Sequence, residues 1–547
     1  MTTVDIKKRD FLARTGFFTH GGERIPLPAV VNMQDLFPDL AMRTRTNIPL
    51  AAPAAFVTKY HSSGPTEPFE VHPNMSGAVP SGSCVMVANW HTAFHHPRDY
   101  VGWLLALRER IPCDTLWYAP AAATPATVSV LAYSGFGIFD FLGVDLRSAQ
   151  GQFCTPEGDF PGDWINDGGC GCAGCREGDI REHNRTALLQ EVHTVRRFIE
   201  RGQLRELLEA RSRLHPAHVA ILRHMDGEEA RLGGFMPVVR NTPLLACSSD
   251  SLTRIEVRRF ARRIVERYVP PAHGTVILLP CSARKPYSSS KTHRTLMAVI
   301  RGRGHECIVT SPLGLVPREL EGIYPAAHYD VPVTGHWDRE ELAWAAGIIA
   351  AYFTAHPARR IIAHLEGGAL KAAHMAAEQC GIALEETVSG SVLGKNSLAR
   401  LDAALATERP HRIDTLRGIL SWQFNTAVDT TGISPRRTFS GINYTRGTTI
   451  LFTSDTATGL VRPTHAGWKL IPGGYRVEID DFLPQGDILV PGILRADEQI
   501  LEGDEVFVHG PRATATGRAA MGAFEMVHSR HGIAIRVRKV QKVKSND

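Results

Sequence analysis

The side chains best suited to chemistry lie together in residues 280–293, which read PCSARKPYSSSKTH and are called the pocket motif below. They are the thiol of Cys281, the ammonium of Lys285, the phenol of Tyr287 and the imidazole of His293. Groups of these types act as nucleophiles, as acids and bases, and as donors that stabilise developing charge. The motif therefore predicts a substrate pocket.

An apolar run at residues 275–279 precedes the motif and predicts a buried strand. In open α/β sheets, ligands bind outside the carboxyl ends of the strands, which is where the motif falls. The hydroxyl of Ser290 and the ring of Pro286 are further candidates for this pocket. The alternative is an ordinary polar turn in which Cys281 is a small buried hydrophobic residue.

A second group of residues has the spacing of a metal site. Cys170, Cys172 and Cys175 form a CxCxxC pattern, and His183 follows. Three thiolates and one imidazole are a ligand set that structural zinc prefers, in a tetrahedral arrangement. His193 lies on the same following segment and is the alternative fourth ligand. Because four protein ligands leave no open position, we expect this zinc to be structural.

Composition indicates a soluble protein of several domains. The 547 residues are 43% hydrophobic and 21% charged, which is ordinary for globular proteins and too long for one core. The first 15 residues have no apolar core of a signal peptide, and the longest apolar run, residues 342–355, is too short to span a bilayer. We therefore expect a cytoplasmic protein with no membrane association. The basic residues at 536–544 are either a phosphate-contacting edge or a solvated tail.

Strands and helices alternate in two regions of the chain. Residues 84–140 contain three predicted strands, the last of which ends at Asp140, and they suggest part of a (β/α) barrel. Residues 253–379 predict a mostly parallel sheet covered on both faces. In this sheet the segment TSPLGLVP brings Ser311 and Gly314 towards the pocket motif, and the segment HLEGG brings Glu366.

The pattern PCxxxKPYxxSxxH in the pocket motif resembles the signature of the archaeosine synthase family, and so do TSPLGLVP and HLEGG. The phrases DFLPQGDILVPGILRADEQILEGDEVFV and GRAAMG resemble a PUA domain, a pseudo-barrel with which RNA-modifying enzymes grip tRNA. The resemblance to archaeosine synthase runs from about residue 80 to the end of the chain.

The cysteine cluster and the segment GFGIFDFLGVDLRSAQGQFCTPEG resemble the catalytic domain of tRNA-guanine transglycosylases. This resemblance places Asp140 at the position of that family's nucleophilic aspartate. The DSGxFQ-type element with a second aspartate does not occur in the sequence, and a full barrel of about 250 residues does not fit before Asp140. We therefore expect a degenerate barrel in which Asp140 contributes to structure or to RNA positioning.

The predicted fold is multidomain α/β in four parts. They are a degenerate TIM-barrel-like transglycosylase domain with a zinc site (1–215), an α/β catalytic core (216–397), a small α+β connector (398–466) and a C-terminal PUA β-barrel that binds RNA (467–547).

The resemblance implies a transferase that acts on tRNA carrying 7-cyano-7-deazaguanine in its D-arm. The family converts the nitrile to an amidine with a nitrogen donor, for which free lysine is expected and glutamine or ammonia are alternatives. A radical S-adenosylmethionine partner then cleaves the adduct in some members. Whether the chain forms a homo-oligomer stays open.

Roles for the motif side chains follow from the chemistry of a nitrile. His293 is the candidate for proton transfer, and Lys285 and Tyr287 are candidates for polarising the nitrile or binding a carboxylate. Cys281 either attacks the nitrile, with a pKa lowered by Lys285 and His293, or only positions it. Two other functions stay open: base exchange by a true transglycosylase, and presentation of tRNA by a non-catalytic subunit.

Overall fold

The computed structural model describes residues 3–40, 48–64, 66–79, 82–166, 170–332, 336–439 and 441–543. Its contacts divide the chain into two compact units. Unit 1 comprises Met1–Pro237, Pro484–Glu502 and Ala519–Arg536, and unit 2 comprises Val238–Leu483, Gly503–Arg518 and Val537–Asp547. Each unit is described by itself.

Unit 1 contains a five-stranded parallel sheet. Its strands, in spatial order, are Ala29–Val31, Phe136–Asp140, Leu116–Tyr118, Cys84–Met86 and Phe69–Glu70. The helices Pro97–Arg108 and Val128–Tyr133 connect neighbouring strands. The first corresponds to a helix that the sequence predicts at residues 99–108, and the second stands where the sequence suggests only a turn. The expected degenerate TIM-barrel-like fold is not confirmed, because the described residues supply to this sheet five parallel strands, which have two open edges. An antiparallel sheet precedes it, formed by Thr3–Asp10, Ala13–His20 and Glu23–Leu27.

The rest of unit 1 is largely helical. A hairpin of Gln152–Thr155 and Gly158–Pro161 leads to the helices Ala173–Glu177, Ile180–Arg201, Leu204–Ser212, Pro216–Gly227 and Glu229–Leu232. The longest helix begins at Asp179, whose carboxylate accepts a hydrogen bond from the Glu182 amide, and it ends at Gly202 with φ of +69°. The sequence predicts this end, because Gly202 interrupts the helical spacing of apolar residues.

Unit 2 is built around a second five-stranded sheet. The order of its strands is Gly314–Pro317, His305–Thr310, Thr275–Pro280, Arg360–Ala363 and Glu385–Glu386. All neighbouring pairs are parallel except the first, so the prediction of a mostly parallel sheet is confirmed. The principal helices are Ile255–Glu266, Lys291–Ile300, Arg339–Ala355, Gly367–Cys380, Lys395–Ala404 and Thr415–Phe424.

The core of this sheet follows from its apolar strands. Ile277 and Leu279 alternate along the central strand and pack with Leu296, Ile362 and Leu401. Burial of each such side chain contributes about 1.5–3 kcal/mol. These contacts hold the central strand in place and thereby set the position at which the pocket motif begins.

Two further sheets follow. The connector forms an antiparallel sheet of Ser434–Thr438, Gly441–Arg446, Thr449–Ser454 and Val461–Pro463. The C-terminal sheet is barrel-like, with the order Ile488–Leu489, Ile533–Lys542, Ala513–Ala519, Glu505–His509, Arg476–Ile479 and Ile493–Ala496. The helix Ala523–His528 accompanies it. Across the described ranges, every helix is too short or too polar to cross a bilayer.

Candidate functional site

The pocket motif lies where the strand order of the unit 2 sheet reverses. The strand Thr275–Pro280 has His305–Thr310 on one side and Arg360–Ala363 on the other. Along the chain, His305–Thr310 follows the central strand on one side, and Arg360–Ala363 comes later on the other side. Where connections leave in opposite directions in this way, a crevice opens at the carboxyl ends of the strands. Cys281 follows the central strand directly, and Glu366 begins the helix after the next strand.

Cys281 and Lys285 form the accessible part of the site, since both side chains are partly exposed. Burial lowers the pKa of Lys285, while Cys281 and Asp330 partly oppose the change. Burial also raises the pKa of the Cys281 thiol, against the opposing effects of the Thr310 hydroxyl and the Lys285 ammonium. This direction is opposite to the one expected from the sequence, because burial outweighs the single nearby cation.

A chain of buried hydroxyl groups lies behind these two residues. The hydroxyl oxygens of Tyr287 and Tyr329 are 2.8 Å apart, and that of Tyr329 lies 2.5 Å from the Thr310 hydroxyl. The ammonium of Lys285 lies 3.8 Å from the centroid of the Tyr329 ring. Burial raises the pKa of both tyrosines, so their hydroxyls stay protonated at neutral pH. Tyr329 thereby joins Lys285, Tyr287 and Thr310 in one network.

Sequence reasoning did not select Tyr329 and Thr310 as site residues. Thr310 is the last residue of a predicted strand, and Tyr329 lies 42 positions after Tyr287 in the loop-rich connection. The strand end at Thr310 was a usable signal, because strand ends converge at one edge of a parallel sheet. Tyr329 belongs to the two-residue strand Tyr329–Asp330, which pairs in parallel with Leu244–Leu245, a pairing that the sequence does not reveal.

His293 does not face the pocket, which corrects its assignment to proton transfer. Its side chain is 0% exposed. Its Nε2 lies 2.9 Å from the Pro280 carbonyl oxygen, and its Nδ1 lies 2.9 Å from Nη2 of Arg318. Since the arginine donates, Nδ1 accepts and Nε2 donates, which leaves no lone pair or proton for a substrate. His293 therefore positions the start of the motif.

Burial keeps His293 neutral, and the positive charge of Arg318 adds to this effect. Arg318 donates to Glu306 through Nε at 2.9 Å and to Glu321 through Nη1 at 2.7 Å. Burial, with the Arg318 charge as the second cause, lowers the pKa of His293 to about 4. Ser290 belongs to the same scaffold, because its hydroxyl caps the helix by accepting from the His293 amide at 3.1 Å.

Of the remaining candidates of unit 2, Ser311 and Gly314 make structural contacts, whereas Pro286 and Glu366 lie at the surface. Ser311 donates to Glu341 at 2.7 Å and lines a separate cavity of about 180 Å³. Gly314 has φ of +75°, and a Cβ there would come within 2.8 Å of Ile348, so it serves packing rather than a ligand. Pro286 and Glu366 are exposed at the motif and at the start of a helix, where Glu366 Oε2 accepts from the Val392 amide.

Asp140 of unit 1 is buried and fully hydrogen-bonded. Its carboxylate accepts from the Tyr118 hydroxyl at 2.6 Å, from the Ala121 amide at 3.1 Å and from the Leu142 amide at 3.0 Å. Burial is the largest influence on this group and raises the pKa of Asp140. With its oxygens occupied in this way, the carboxylate holds the loop after its strand and does not present a nucleophile.

The candidate metal centre has the geometry of a tetrahedral site. The His183 Nδ1 atom lies 3.4, 3.5 and 3.2 Å from the sulfurs of Cys170, Cys172 and Cys175. The sulfurs of Cys170 and Cys175 are 3.6 Å apart. Zinc bonds of about 2.3 Å to sulfur and 2.0 Å to nitrogen give tetrahedral edges of about 3.6 Å. The residues therefore fit a metal ion, and the set is consistent with zinc.

Neighbouring groups orient the histidine ligand. His183 Nε2 lies 3.0 Å from the Cys154 carbonyl oxygen, so Nε2 carries the proton and Nδ1 is free to bind a metal. The ring stacks on Phe153 with centroids 3.7 Å apart. His193 is exposed elsewhere on the helix and takes no part in the cluster. His183, rather than His193, therefore completes the set of four side chains that could hold a metal ion.

The fold and the domain matches define a multidomain α/β protein with a C-terminal PUA domain. The PUA model matches residues 475–541, and a domain of unknown function (DUF5591) matches residues 257–405, which include the pocket motif.

Curated relatives cover most of the chain. It is 35% identical to archaeosine synthase subunit alpha of Methanosarcina acetivorans, over 85% of this chain and 81% of the relative. It is 33% identical to archaeosine synthase of Haloferax volcanii, over 82% and 80%. A tRNA-guanine(15) transglycosylase of Methanothermobacter thermautotrophicus is 24% identical, over 81% and 68%. The chain belongs to the archaeosine synthase family.

Proposed function

We propose that the protein is a tRNA-modifying transferase that adds an amine to the nitrile of 7-cyano-7-deazaguanine in the tRNA D-arm. Family membership supports archaeosine formation, and the PUA domain supports tRNA as the substrate. The observation that carries the proposal is the pairing of Cys281 and Lys285 at the crevice with a chain of buried hydroxyls behind them.

Addition of an amine to a nitrile requires two proton movements. The nitrogen lone pair forms a bond to the nitrile carbon, and one π pair moves onto the nitrile nitrogen, which takes up a proton. The attacking nitrogen loses a proton, so the amidine forms with no net change in protons. A site for this reaction needs a base for the amine and a donor for the nitrile nitrogen.

Lys285 is the proposed base. Its lowered pKa gives it a larger neutral fraction than an ordinary lysine has, so it can accept the proton of the incoming ammonium. Tyr287, Tyr329 and Thr310 form the proposed proton path, because their linked hydroxyls lead towards Cys281. The Cys281 thiol, kept protonated by its raised pKa, then donates to the nitrile nitrogen, and its thiolate takes back a proton from the neighbouring Lys285 ammonium, so that both groups return to their starting states.

A covalent thioimidate at Cys281 is the alternative route. It would require Lys285 to take the thiol proton before the amine arrives, since the thiolate is the nucleophile. The raised pKa of Cys281 favours direct addition instead. With Cys281→Ser, direct addition predicts partial retention of the rate, whereas the covalent route predicts its loss.

Free lysine is the proposed donor, and glutamine or ammonia are the alternatives. The name of the Methanosarcina relative, a subunit alpha, supports a partner protein that completes the reaction. We propose a radical S-adenosylmethionine enzyme as that partner. The metal centre, with four protein ligands, would hold zinc as a structural ion.

Mass spectrometry of nucleosides tests this function. The pure protein is incubated with tRNA carrying 7-cyano-7-deazaguanine and with lysine, glutamine, ammonia or no donor. The expected result is a mass gain of one whole lysine. Tight tRNA binding without any adduct would instead indicate a tRNA-presenting subunit.

Base exchange is the second candidate function, favoured by the similarity to a transglycosylase. The hydrogen bonds that occupy Asp140 argue against it, because a nucleophile needs an accessible oxygen. Incorporation of labelled guanine into tRNA would establish base exchange.

A further inference from the structure

The connector carries an exposed aromatic ring at the tip of a β-hairpin. Ser434–Thr438 and Gly441–Arg446 pair antiparallel, with Thr438 opposite Gly441. Phe439 follows the first strand and is 110% exposed, compared with 63% for Leu214, the next most exposed large hydrophobic side chain in the described ranges. Because the ring is fully exposed at the end of a hairpin, it is available to stack on a binding partner.

The backbone around Phe439 is held by specific contacts. The Thr438 hydroxyl donates to the Gly441 carbonyl oxygen at 3.0 Å, and the Ile442 amide donates to the Ser454 hydroxyl at 2.8 Å. Gly441 has φ of +135°, and a Cβ there would come within 2.8 Å of the Ser454 hydroxyl oxygen. The sheet therefore presents the ring from a fixed support.

Among the described residues, arginines without an ion-pair partner lie on the same hairpin and in a cavity beside it. Arg436 and Arg437 are exposed on the edge strand, and their side chains point to opposite faces of the sheet. Arg437 and Arg412 line a cavity of about 540 Å³. Within the described ranges, neither these two nor Arg436 has an ion-pair partner.

The one carboxylate that lines this cavity is occupied by local hydrogen bonds. Asp414 accepts from the Arg417 amide at 3.0 Å and from the Thr430 hydroxyl. The hairpin and the cavity therefore combine free cationic groups with an exposed ring. A nucleic acid can bind both features, because its phosphates bind arginine and its bases stack on aromatic rings.

We propose that this hairpin contacts the tRNA substrate, with Phe439 stacked on an unpaired base and with Arg412, Arg436 and Arg437 bound to nearby phosphates. The inference rests on the proposed function only in taking tRNA as the substrate. It gives the connector a role in gripping single-stranded RNA that is separate from the PUA domain and from the pocket motif.

Equilibrium binding of full-length protein to a labelled tRNA transcript, with no amine donor present, tests this role. Phe439→Ala is expected to weaken binding about tenfold, and Phe439→Trp, unlike Phe439→Leu, is expected to preserve it. Leu214→Ala, which truncates another exposed apolar side chain, should bind as the wild type does. Arg437→Gln should reduce the slope of log Kd against log salt concentration by about 0.7.

Unchanged tRNA binding in Phe439→Ala would overturn the inference, and so would weaker binding restored by leucine. Unchanged tRNA binding together with lost binding of a partner enzyme would assign the hairpin to a protein and would also overturn it. Because no donor is present, these results do not depend on nitrile chemistry. Failure of the proposed function would appear only in the nucleoside masses.

Discussion

At the scale of single residues, the proposed reaction depends on Lys285, whose pKa is lower than that of an ordinary surface lysine. Its ammonium lies over the Tyr329 ring and near the Cys281 thiol, and the side chain is only partly exposed. Burial makes the charged form of the amine less stable than in water and so lowers its pKa. A lysine in this state suits proton transfer better than it suits binding of a carboxylate.

Lys285→Arg separates these two roles. Arginine keeps the positive charge but does not lose its proton near neutral pH, so the rate of adduct formation should fall by about 10²–10⁴-fold. Single-turnover measurements with saturating tRNA and lysine would show the loss as a change in rate rather than in affinity. Near-normal turnover by Lys285→Arg would mean that the residue only binds an anion.

His293 is predicted to affect stability and not the chemical step. In the folded protein its pKa is lowered to about 4, so below pH 6.5 the unfolded chain binds a proton that the folded chain does not. Stability is then fully present above pH 6.5 and is lost as the pH falls towards 4. Glutamine can still accept from Arg318 and donate to the Pro280 carbonyl without titrating.

Urea denaturation of the wild type and His293→Gln at pH 7 and pH 5 measures this contribution. The wild type should lose more stability between the two pH values than the variant does, and the pH profile of turnover should be the same for both. A shifted pH profile of turnover in His293→Gln would return His293 to a role in proton transfer.

At the scale of elements, the metal centre ties the start of the long helix Ile180–Arg201 to the hairpin before it. His183 is on the first turn of this helix, and its Nε2 hydrogen-bonds the Cys154 carbonyl of the hairpin. Cys172 caps the short helix that carries Cys175. Loss of the metal should therefore loosen this junction while leaving the unit 2 site in place.

Cys175→Ser tests the metal centre. At a metal concentration a thousandfold above the dissociation constant, bound metal stabilises the fold by about 4 kcal/mol, and the variant should lose most of this. Metal analysis and thermal denaturation would show it, with Cys380→Ser as a control for loss of a thiol outside the cluster. Full metal content and an unchanged Tm in Cys175→Ser would exclude the assignment.

Periodic patterns and cysteine spacing were sufficient to predict many of these elements. The strand before Cys281, the helix break at Gly202 and the three cysteine ligands with His183 each follow from local rules. The partners of His293 could not be predicted, because Arg318 lies 25 residues away and its approach depends on packing. The degenerate barrel expected for residues 1–215 was also not confirmed, since short parallel strands do not specify how many strands their sheet contains or whether it curves into a barrel.

At the scale of the whole molecule, RNA affinity should depend partly on the last strand, Ile533–Lys542. Arg536 and Lys542 are exposed on it, whereas Arg538 donates to Glu505 at 2.8 and 2.9 Å. These three side chains are an even number of residues apart and so share one face of the strand, although Lys539 and Gln541 between them are also exposed. Two of them are available to phosphates, and the third stabilises the sheet.

Arg536→Gln combined with Lys542→Gln should weaken tRNA binding and lower the slope of log Kd against log salt concentration by up to about 2. Arg538→Gln should instead reduce thermal stability, because it leaves the buried Glu505 carboxylate with one fewer donor. An unchanged salt dependence in the double variant would show that the strand is a solvated edge.

The most direct test of the account is a single-turnover reaction between the protein, tRNA carrying 7-cyano-7-deazaguanine and lysine labelled with ¹⁵N at its side-chain amine. The account predicts a nucleoside that is heavier by one lysine, with the ¹⁵N bonded to the former nitrile carbon, and formation of this product about 10²–10⁴-fold more slowly with Lys285→Arg. A bound but unmodified nitrile, or replacement of the whole base, would contradict it.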